Sequence, residues 1–232
     1  MEKITTPNHS EQLNLQGFTL VEILIAIAMS SVVILAIHTT YTTQQKVNTA
    51  QAAVVEMQQN IRAGMTIMTS EVRMAGYDPQ KTGQYGITAA TANSFSFTAD
   101  TNDDGGPPGA GESYQYELYD SDGDGLNDAL RRTPGGSALA NGIYNLNFVY
   151  QLSDGTRTST PAILTNIRSV QISILARAIV QDLSYQDSNN YPVSADLNGD
   201  GAITAADKWG PFNDRYRRRF FSQEITCRNM GL

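Results

Sequence analysis

The sequence predicts an α+β protein in which one long N-terminal helix packs on an antiparallel β-sheet domain. Three observations support this class. Residues 18–37 form an almost uninterrupted apolar run, apolar residues then recur at helical spacing as far as residue 75, and alternating strand-like segments follow Pro79. A chain of 232 residues with 41% hydrophobic content is long enough to bury a core in such a domain.

The apolar run reads FTLVEILIAIAMSSVVILAI and contains only four polar residues. As a helix it would be about 30 Å long, which is enough to cross a bilayer. The preceding segment, residues 1–17, is polar and has Lys3 as its one basic residue. A conventional cleaved signal or a plain membrane anchor could also produce an apolar run at this place.

The unusual residue in this run is Glu22. A carboxylate within a lipid-facing helix costs about 2.5–3.5 kcal/mol on insertion scales, so it needs a positively charged partner. Cleavage between Gly17 and Phe18 would create a new α-amino group four residues before Glu22, within reach in the same helix or a neighbouring one.

The string from Gly17 to Glu22, followed by the apolar helix, resembles the type IV prepilin motif. The resemblance implies that a dedicated prepilin peptidase cuts after Gly17 and methylates the new N-terminus at Phe18. It also implies that Glu22 pairs with the N-terminal amine of an adjacent subunit during assembly. Residues 1–17 would then be the cleaved leader, which departs from the usual pattern because it is polar rather than basic.

The helical pattern continues beyond the membrane segment. One apolar stripe recurs at spacings of three or four residues. Its members are Val47, Ala50, Val54, Met57, Ile61, Met65, Met68, Val72 and Ala75. We therefore expect a transmembrane and assembly helix over residues 18–38 that continues as an amphipathic helix over 39–78, with Gly76 and Pro79 as stop signals. A coiled-coil dimer is the competing use of this stripe, although sustained heptads are missing.

The segments Asn60-Ile61-Arg62 and 71–77 (EVRMAGY) resemble the helix end of PilW/PulJ-type minor pilins, and Arg228-Asn229 is similar to the closing strand of that family. This resemblance implies the pilin fold. Arg62 and Arg73 could make functional contacts or be solvated charges on the helix face.

Residues 79–232 are predicted to form the β-rich globular domain. Strand-like segments occur at 94–98, 113–119, 143–152 and 169–176, and we expect them to pair into one antiparallel sheet with one face on the helix stripe. The connections are rich in Gly, Asp, Asn and Pro, which is typical of loops.

One acidic loop, residues 196–207, has the spacing of a calcium-binding loop. Oxygen ligands would come from Asp196, Asn198, Asp200 and Asp207, with the carbonyl of Ala202 as a further ligand. The loop resembles those of EF-hands and dockerins, except that Asp207 replaces the usual bidentate Glu. A turn stabilised by Asx side chains is the alternative interpretation.

Two other acidic loops have weaker calcium signals. One of them begins with the same ligand spacing as the loop at 196–207, at Asp120, Asp122 and Asp124, and Asp128 could be the last ligand of a shorter loop. The third, residues 100–105, has only Glu112 as a downstream ligand. Calcium is therefore predicted as a structural cofactor, because a bound cation would relieve the repulsion between clustered carboxylates.

Residues 215–221 (RYRRRFF) interleave arginines with aromatics. This stretch could contact nucleic acid, form an arginine-bearing edge strand in solvent, or dock on the acidic surface of a neighbouring subunit. The formal net charge of −7 argues against nucleic acid as a partner, because such surfaces need positive potential.

Composition also argues against an enzyme. The chain has one cysteine, Cys227, and two histidines, His9 and His38, so a zinc site or a Cys/His nucleophile is not expected. Cys227 could be a small buried hydrophobe, an intermolecular bridge or a reactive thiol.

Together these features predict a minor pilin that is inserted in the bacterial inner membrane and has a periplasmic domain. It would be processed by the prepilin peptidase and assembled with other pilin and minor-pilin subunits into, or as a primer of, a cell-surface pilus. A J-type minor pseudopilin of a type II secretion system and a pilus-borne calcium-dependent adhesin or DNA-uptake module are the alternatives.

Overall fold

The computed structural model describes residues 17–193, 204 and 206–231. A 53-residue helix, α1 (Leu20–Val72), opens this part of the chain and is followed by eleven strands and one short 3₁₀ turn, Leu164–Asn166. The chain divides into two compact units, Met1–Val47 and Asn48–Leu232. This order confirms the predicted α+β class, with one long helix followed by antiparallel sheets.

In the first unit, every described residue from 17 to 41 is exposed. The polar side chains inside this apolar stretch are satisfied within the helix, since Ser30 and Ser31 donate hydrogen bonds to the carbonyls of Ala26 and Ile27 at 2.7 and 2.8 Å. Such bonds remove the need for water at these hydroxyls. By length and composition, α1 could cross a membrane.

In the second unit, the apolar stripe of α1 enters the core. Its residues from Met57 to Ala75 are buried, whereas Val54 is half-buried and Val47 is exposed. Gly64 is also buried, and a Cβ there would lie 3.3 Å from the Cβ of Ala140. Glycine at this position therefore allows the helix and the sheet to approach closely.

The helix ends at Val72, four residues before the predicted stop. Residues 73–77 instead form tight turns, in which the amide of Met74 donates to the Glu71 carbonyl at 2.8 Å. The amide of Gly76 donates to the Thr98 carbonyl at 3.0 Å, which ties the end of the helix to the sheet domain.

The strands form a five-stranded sheet, a four-stranded sheet and a two-stranded ribbon, all antiparallel. The five-stranded sheet has the sequential order β1 (Ile87–Ala90), β2 (Ser94–Thr98), β3 (Ser113–Tyr119), β4 (Ala129–Thr133) and β5 (Ala138–Asn141). The four-stranded sheet contains β6 (Ile143–Leu152), β7 (Arg157–Thr158), β8 (Ile167–Arg177) and β11 (Arg218–Thr226) in the order β11-β8-β6-β7. The ribbon pairs β9 (Tyr191–Pro192) with β10 (Lys208–Trp209).

The four predicted strand segments are present, but they belong to two sheets rather than one. Only Gly142 separates β5 from β6, which is too short for a hairpin, so the chain turns a corner and enters the second sheet. Gly142 has φ 74°, and a Cβ there would lie 3.0 Å from the Arg177 carbonyl oxygen. The switch between sheets thus depends on a residue without a side chain.

The core lies between α1 and the inner faces of both sheets. Aromatic rings from the two sheets meet there, with Phe95 at 5.4 Å from Phe97, 5.9 Å from Phe148 and 5.7 Å from Tyr150. All four rings are fully buried. The hydroxyl of Tyr150 donates to the Thr91 carbonyl at 2.8 Å, so it is satisfied inside the core.

The opposite face of the four-stranded sheet is covered by residues 178–193 and 206–217, here called the outer segment. Val193 and Trp209 pack on Val149, whose side chain points away from the core. Trp209 also meets Phe220 edge-on at 6.2 Å between ring centroids. The ribbon therefore rests on this face, and its two strands lead into and out of the predicted calcium loop.

Candidate functional site

The start of α1 contains the predicted processing and assembly residues. Gly17 and Phe18 precede the helix and are exposed, with Phe18 84% accessible. The Glu22 carboxylate accepts hydrogen bonds from the amide and the hydroxyl of Thr19, both at 2.9 Å. The amide of Glu22 in turn donates to Thr19 Oγ1 at 3.2 Å.

Thr19 and Glu22 thus form a capping box, in which two otherwise unpaired amides at the helix start are satisfied. The T-x-x-E spacing of these two residues is the sequence signature of this box. The Glu22 carboxylate already accepts two hydrogen bonds from Thr19. An α-amino group that approached Glu22 would therefore compete with these two bonds.

The loop between β3 and β4 holds the second predicted calcium sequence. Carboxylate oxygens of Asp120, Asp122 and Asp124 lie within 4.8 Å of one another. Asp120 accepts hydrogen bonds from the amides of Gly125 and Gly123, both at 2.7 Å. These bonds hold the pKa of Asp120 below its usual value, and the bond from Gly125 has the larger effect. The loop is therefore ordered by its own backbone, with three acidic side chains on one side.

Asp128, the predicted fourth ligand of that loop, is not part of the group of three. Its two oxygens accept the amide and the hydroxyl of Ser121, both at 2.9 Å. Its side chain therefore braces the beginning of the loop, and a cation bound by the other three would need further oxygen ligands from carbonyls or water.

The third acidic loop, which had the weakest signal in the sequence, forms the more buried cluster. Oxygens of Asp100, Asp104 and Glu112 lie within 4.8 Å of one another, and both Asp100 and Glu112 are buried. Asp100 accepts the amide of Asp103 at 2.6 Å, and Glu112 accepts the amide of Gly109 at 2.8 Å. None of the three makes an ion pair with a lysine or arginine among the described residues.

The negative charge of this cluster affects the neighbouring Tyr85. Its hydroxyl donates to the Gly106 carbonyl at 3.0 Å and lies 3.4 Å from a Glu112 oxygen. Burial first, and then the charges of Asp100, Glu112 and Asp104, raise the pKa of Tyr85 to about 12. The donor set is entirely carboxylate, which suits a hard cation such as calcium.

The predicted calcium loop at 196–207 includes only 204, 206 and 207 among the described residues. Asp196, Asn198, Asp200 and Ala202 lie outside the described residues. Asp207 is buried, and its carboxylate accepts the amide of Thr204 at 2.7 Å. The Asp207 carbonyl accepts the amide of Val193 at 3.1 Å, which places this residue at the base of the β9–β10 ribbon.

The arginine-rich stretch, residues 215–221, runs into the edge strand β11, but one of its arginines is not solvated. Arg218 has a side chain only 4% exposed and donates to Asp187 at 2.9 Å and to Asp214 at 2.6 Å. Arg217 pairs with Asp182 at 2.7 Å. The interpretation as a uniformly solvated edge therefore fails for Arg218, which instead clamps the outer segment to β11.

The described residues thus combine a long N-terminal helix, which has an exposed apolar start and an acidic residue in its first turn, with an antiparallel sheet domain. Residues 14–37 match the family model of the prokaryotic N-terminal methylation motif. The match confirms the predicted prepilin methylation motif that includes Gly17 to Glu22, whereas nothing in it distinguishes the PilW/PulJ type.

Among solved structures, the chain is similar to a type IV-like pilin from Thermus thermophilus. The two share 14% sequence identity with a TM-score of 0.49, over 75% of this chain and 98% of that one. No curated protein sequence matches the chain. The methylation motif coincides with the part of α1 that is long and apolar enough to cross a membrane.

Proposed function

We propose that this protein is a minor pilin that is incorporated into a type IV pilus or primes its assembly. The prepilin peptidase cuts after Gly17 and the new N-terminus at Phe18 is methylated. The chain then crosses the inner membrane once, with its C-terminal domain in the periplasm, and joins other pilin and minor-pilin subunits through α1 on its way to the cell surface.

The observation that carries this proposal is the start of α1. A methylation motif at residues 14–37 coincides with the first part of α1, where residues 20–41 are all exposed and Glu22 is the one acidic residue. An apolar surface of this size needs lipid or neighbouring helices to cover it. Glu22 then needs a cation at the same depth, and the amine of a processed Phe18 on an adjacent subunit supplies one.

We propose a structural rather than a catalytic role for the sheet domain. Among the described residues, the two acidic clusters contain neither histidine nor cysteine, so they lack a base or nucleophile of the usual kinds. Their all-oxygen composition fits calcium as a structural cofactor. Asp100, Asp104 and Glu112 would hold one ion, Asp120, Asp122 and Asp124 a second, and the loop that ends at Asp207 a third.

Mass spectrometry of the mature N-terminus tests the proposal directly. We expect a methylated Phe18 in the wild type and an intact leader in Gly17→Val, because the peptidase site is then blocked. Asn14→Ala, which changes the leader but not the cut site, is the matched control and should be processed. A wild-type chain that begins at Met1, or near Met29 as a conventional signal would give, contradicts the proposal.

Assembly is tested separately with Glu22→Gln. We expect this variant to be processed normally but to be depleted from sheared pili, since the carboxylate that attracts the neighbouring amine is gone. Glu56→Gln, which changes an exposed carboxylate further along α1, should be incorporated like the wild type. If deletion of the gene abolished protein secretion and left surface pili intact, the J-type pseudopilin would replace the minor pilin as the proposed function.

A further inference from the structure

A cavity of about 380 Å³ lies beside β11 in the 48–232 unit. Sites that hold small ligands or peptide side chains commonly have volumes of about 300–1,000 Å³. Its lining includes Val54 and Met57 of α1 and Tyr185 and Asn189 of the outer segment.

The floor of this cavity is the open edge of β11. Arg219 and Phe220 are adjacent in the strand, so their side chains point to opposite faces of the sheet, yet both line the cavity. A space that reaches both faces lies on the edge of the strand. We call it the edge groove.

The backbone of β11 is paired on one side only. Its register with β8 is continuous from Arg218 opposite Arg177 to Thr226 opposite Ser169, and β11 is the terminal strand of its sheet. About half of the amide and carbonyl groups in an antiparallel strand point away from a given neighbour. No described backbone group pairs with that outer side of β11.

The charges around the edge groove are unevenly matched. Arg218 is enclosed by two carboxylates and Arg217 is paired with Asp182. Arg219 is exposed and makes no ion pair with any residue that the structure describes. It is therefore the cation that an incoming anionic group would meet first.

The polar side chains that the outer segment contributes to the groove already form hydrogen bonds within that segment. Asn189 donates to the hydroxyl of Tyr185 at 2.9 Å, and the hydroxyl of Tyr191 donates to Asp187 at 2.9 Å. The groove thus offers a partner two kinds of contact, the strand edge and the Arg219 guanidinium.

We infer that the edge groove binds a short, extended, acidic peptide segment of a partner protein. The segment adds to β11 as a further strand beside residues 218–220, through main-chain hydrogen bonds, and a carboxylate of the segment pairs with Arg219. The exposed strand edge selects for a peptide backbone, which a nucleic acid does not have. The free guanidinium selects for an acidic sequence over a neutral one.

Peptide binding to the full-length protein in detergent micelles tests this inference. The probe is a fluorescein-labelled hexapeptide that alternates valine with glutamate, measured by fluorescence anisotropy. A matched peptide with glutamine in place of glutamate should bind about tenfold more weakly, because the charge-assisted hydrogen bond is lost. Two further versions carry N-methyl groups at the odd or the even positions. Alternate amides of an extended peptide point to opposite edges, and only one edge faces β11. If the peptide adds as a strand, one of the two N-methylated versions should lose binding and the other should keep it.

Arg219→Gln should weaken the acidic peptide by about tenfold and leave the glutamine peptide unchanged. Arg215→Gln is the matched control, because Arg215 belongs to the same basic stretch, is exposed and does not line the groove. Equal binding of both peptides, insensitivity to both N-methylated versions, or a single-stranded oligonucleotide that outcompetes the acidic peptide would each overturn the inference. The N-methyl comparison uses wild-type protein, so it remains decisive even if a variant fails to fold.

Discussion

Glu71, in the last turn of α1, forms a bidentate ion pair with Arg132 of β4, although the two residues are 61 positions apart in the sequence. Arg132 Nε lies 2.9 and 2.8 Å from the two Glu71 oxygens, and its Nη2 lies 2.6 Å from one of them. The hydroxyl of Tyr116 donates to the same carboxylate. Burial and this contact raise the pKa of Tyr116, so it remains a donor at neutral pH.

This pair joins the end of the helix to the five-stranded sheet, and its loss should destabilise the second unit. The side chains of Glu71 and Arg132 are only 17% and 26% exposed. If Glu71 loses its charge, the Arg132 guanidinium therefore remains poorly solvated and without its ion pair. We expect Glu71→Gln to cost about 2 kcal/mol, or a fall of about 4–8 °C in Tm, measured by circular dichroism in micelles.

Glu117→Gln is the matched control for that measurement. Glu117 of β3 pairs with Arg131 of the neighbouring strand β4, but Arg131 is 39% exposed and solvent screens the pair. Its loss should cost less than about 1 kcal/mol. Equal effects of the two substitutions would show that Glu71 is an ordinary surface charge.

Local periodicity was sufficient to predict α1, its buried stripe and four of the strands, because each of these signals is contained within one segment. The Glu71–Arg132 pair could not be predicted, since nothing local distinguishes Glu71 from a solvated charge on the helix. Short strands such as β4 and β5 were missed because neither has a clear apolar alternation. The split into two sheets depends on the single residue Gly142.

In the acidic loops, too, contacts that depend on the folded chain could not be predicted from local spacing. Loop spacing correctly brought Asp120, Asp122 and Asp124 together, whereas the position of Asp128 depended on a hydrogen bond from Ser121 that spacing cannot show. The cluster at Asp100 was underestimated because Glu112, which follows a Gly- and Pro-rich connection, returns to it in space. Acidic residues grouped in one short loop are easily recognised from sequence, whereas the proximity of Glu112 to Asp100 depends on a chain reversal that spacing alone does not establish.

Cys227 should be inert in the folded protein. It is 2% exposed within the core, and burial raises the pKa of its thiol to about 12 from an ordinary 9.0. At pH 8 the reactive thiolate is then about a thousandfold rarer than for a free thiol. We expect no reaction with a thiol reagent until concentrated guanidinium chloride unfolds the chain.

The control for this labelling is Ser137→Cys in a Cys227→Ala background, because Ser137 is exposed in the turn between β4 and β5. That variant should react at once under native conditions. Rapid labelling of native wild type, or a disulfide-linked dimer on a non-reducing gel, would show that Cys227 is reactive or bridging rather than a buried hydrophobe.

Acid should loosen the outer segment. Hydrogen bonds from Arg218 hold the pKa of Asp214 below its ordinary 3.8, and those from Ser184 and Arg217 do the same for the pKa of Asp182. A carboxyl group whose pKa is lower in the folded state contributes stability above its unfolded pKa. That contribution is lost as the pH falls through the folded pKa, here below about pH 4. Thermal unfolding at a series of pH values should show a steeper loss in the wild type than in Asp214→Asn, and parallel curves would contradict this assignment.

Calcium should stabilise the sheet domain. Three carboxylates within 4.8 Å repel one another in each of the two visible clusters, and a cation that binds only the folded state adds stability according to its concentration relative to Kd. At a tenfold excess over Kd the gain is about 1.4 kcal/mol, so the Tm of the full-length protein in micelles should rise by about 3–6 °C. Magnesium at the same concentration should have a smaller effect, because it demands a tighter octahedral site.

Single substitutions assign this stabilisation to individual loops. Asp104→Asn and Asp124→Asn each remove one carboxylate from a described cluster, and Asp200→Asn removes one predicted ligand from the loop at 196–207. Asp154→Asn, in the turn between β6 and β7 and outside all three loops, should keep the full calcium shift. Trp209 is the only tryptophan in the chain and follows Asp207 by two residues, so its fluorescence should respond to calcium unless Asp200 is replaced. If millimolar calcium changes neither the Tm nor this fluorescence, the carboxylates are held by their backbone turns alone and calcium is not a cofactor.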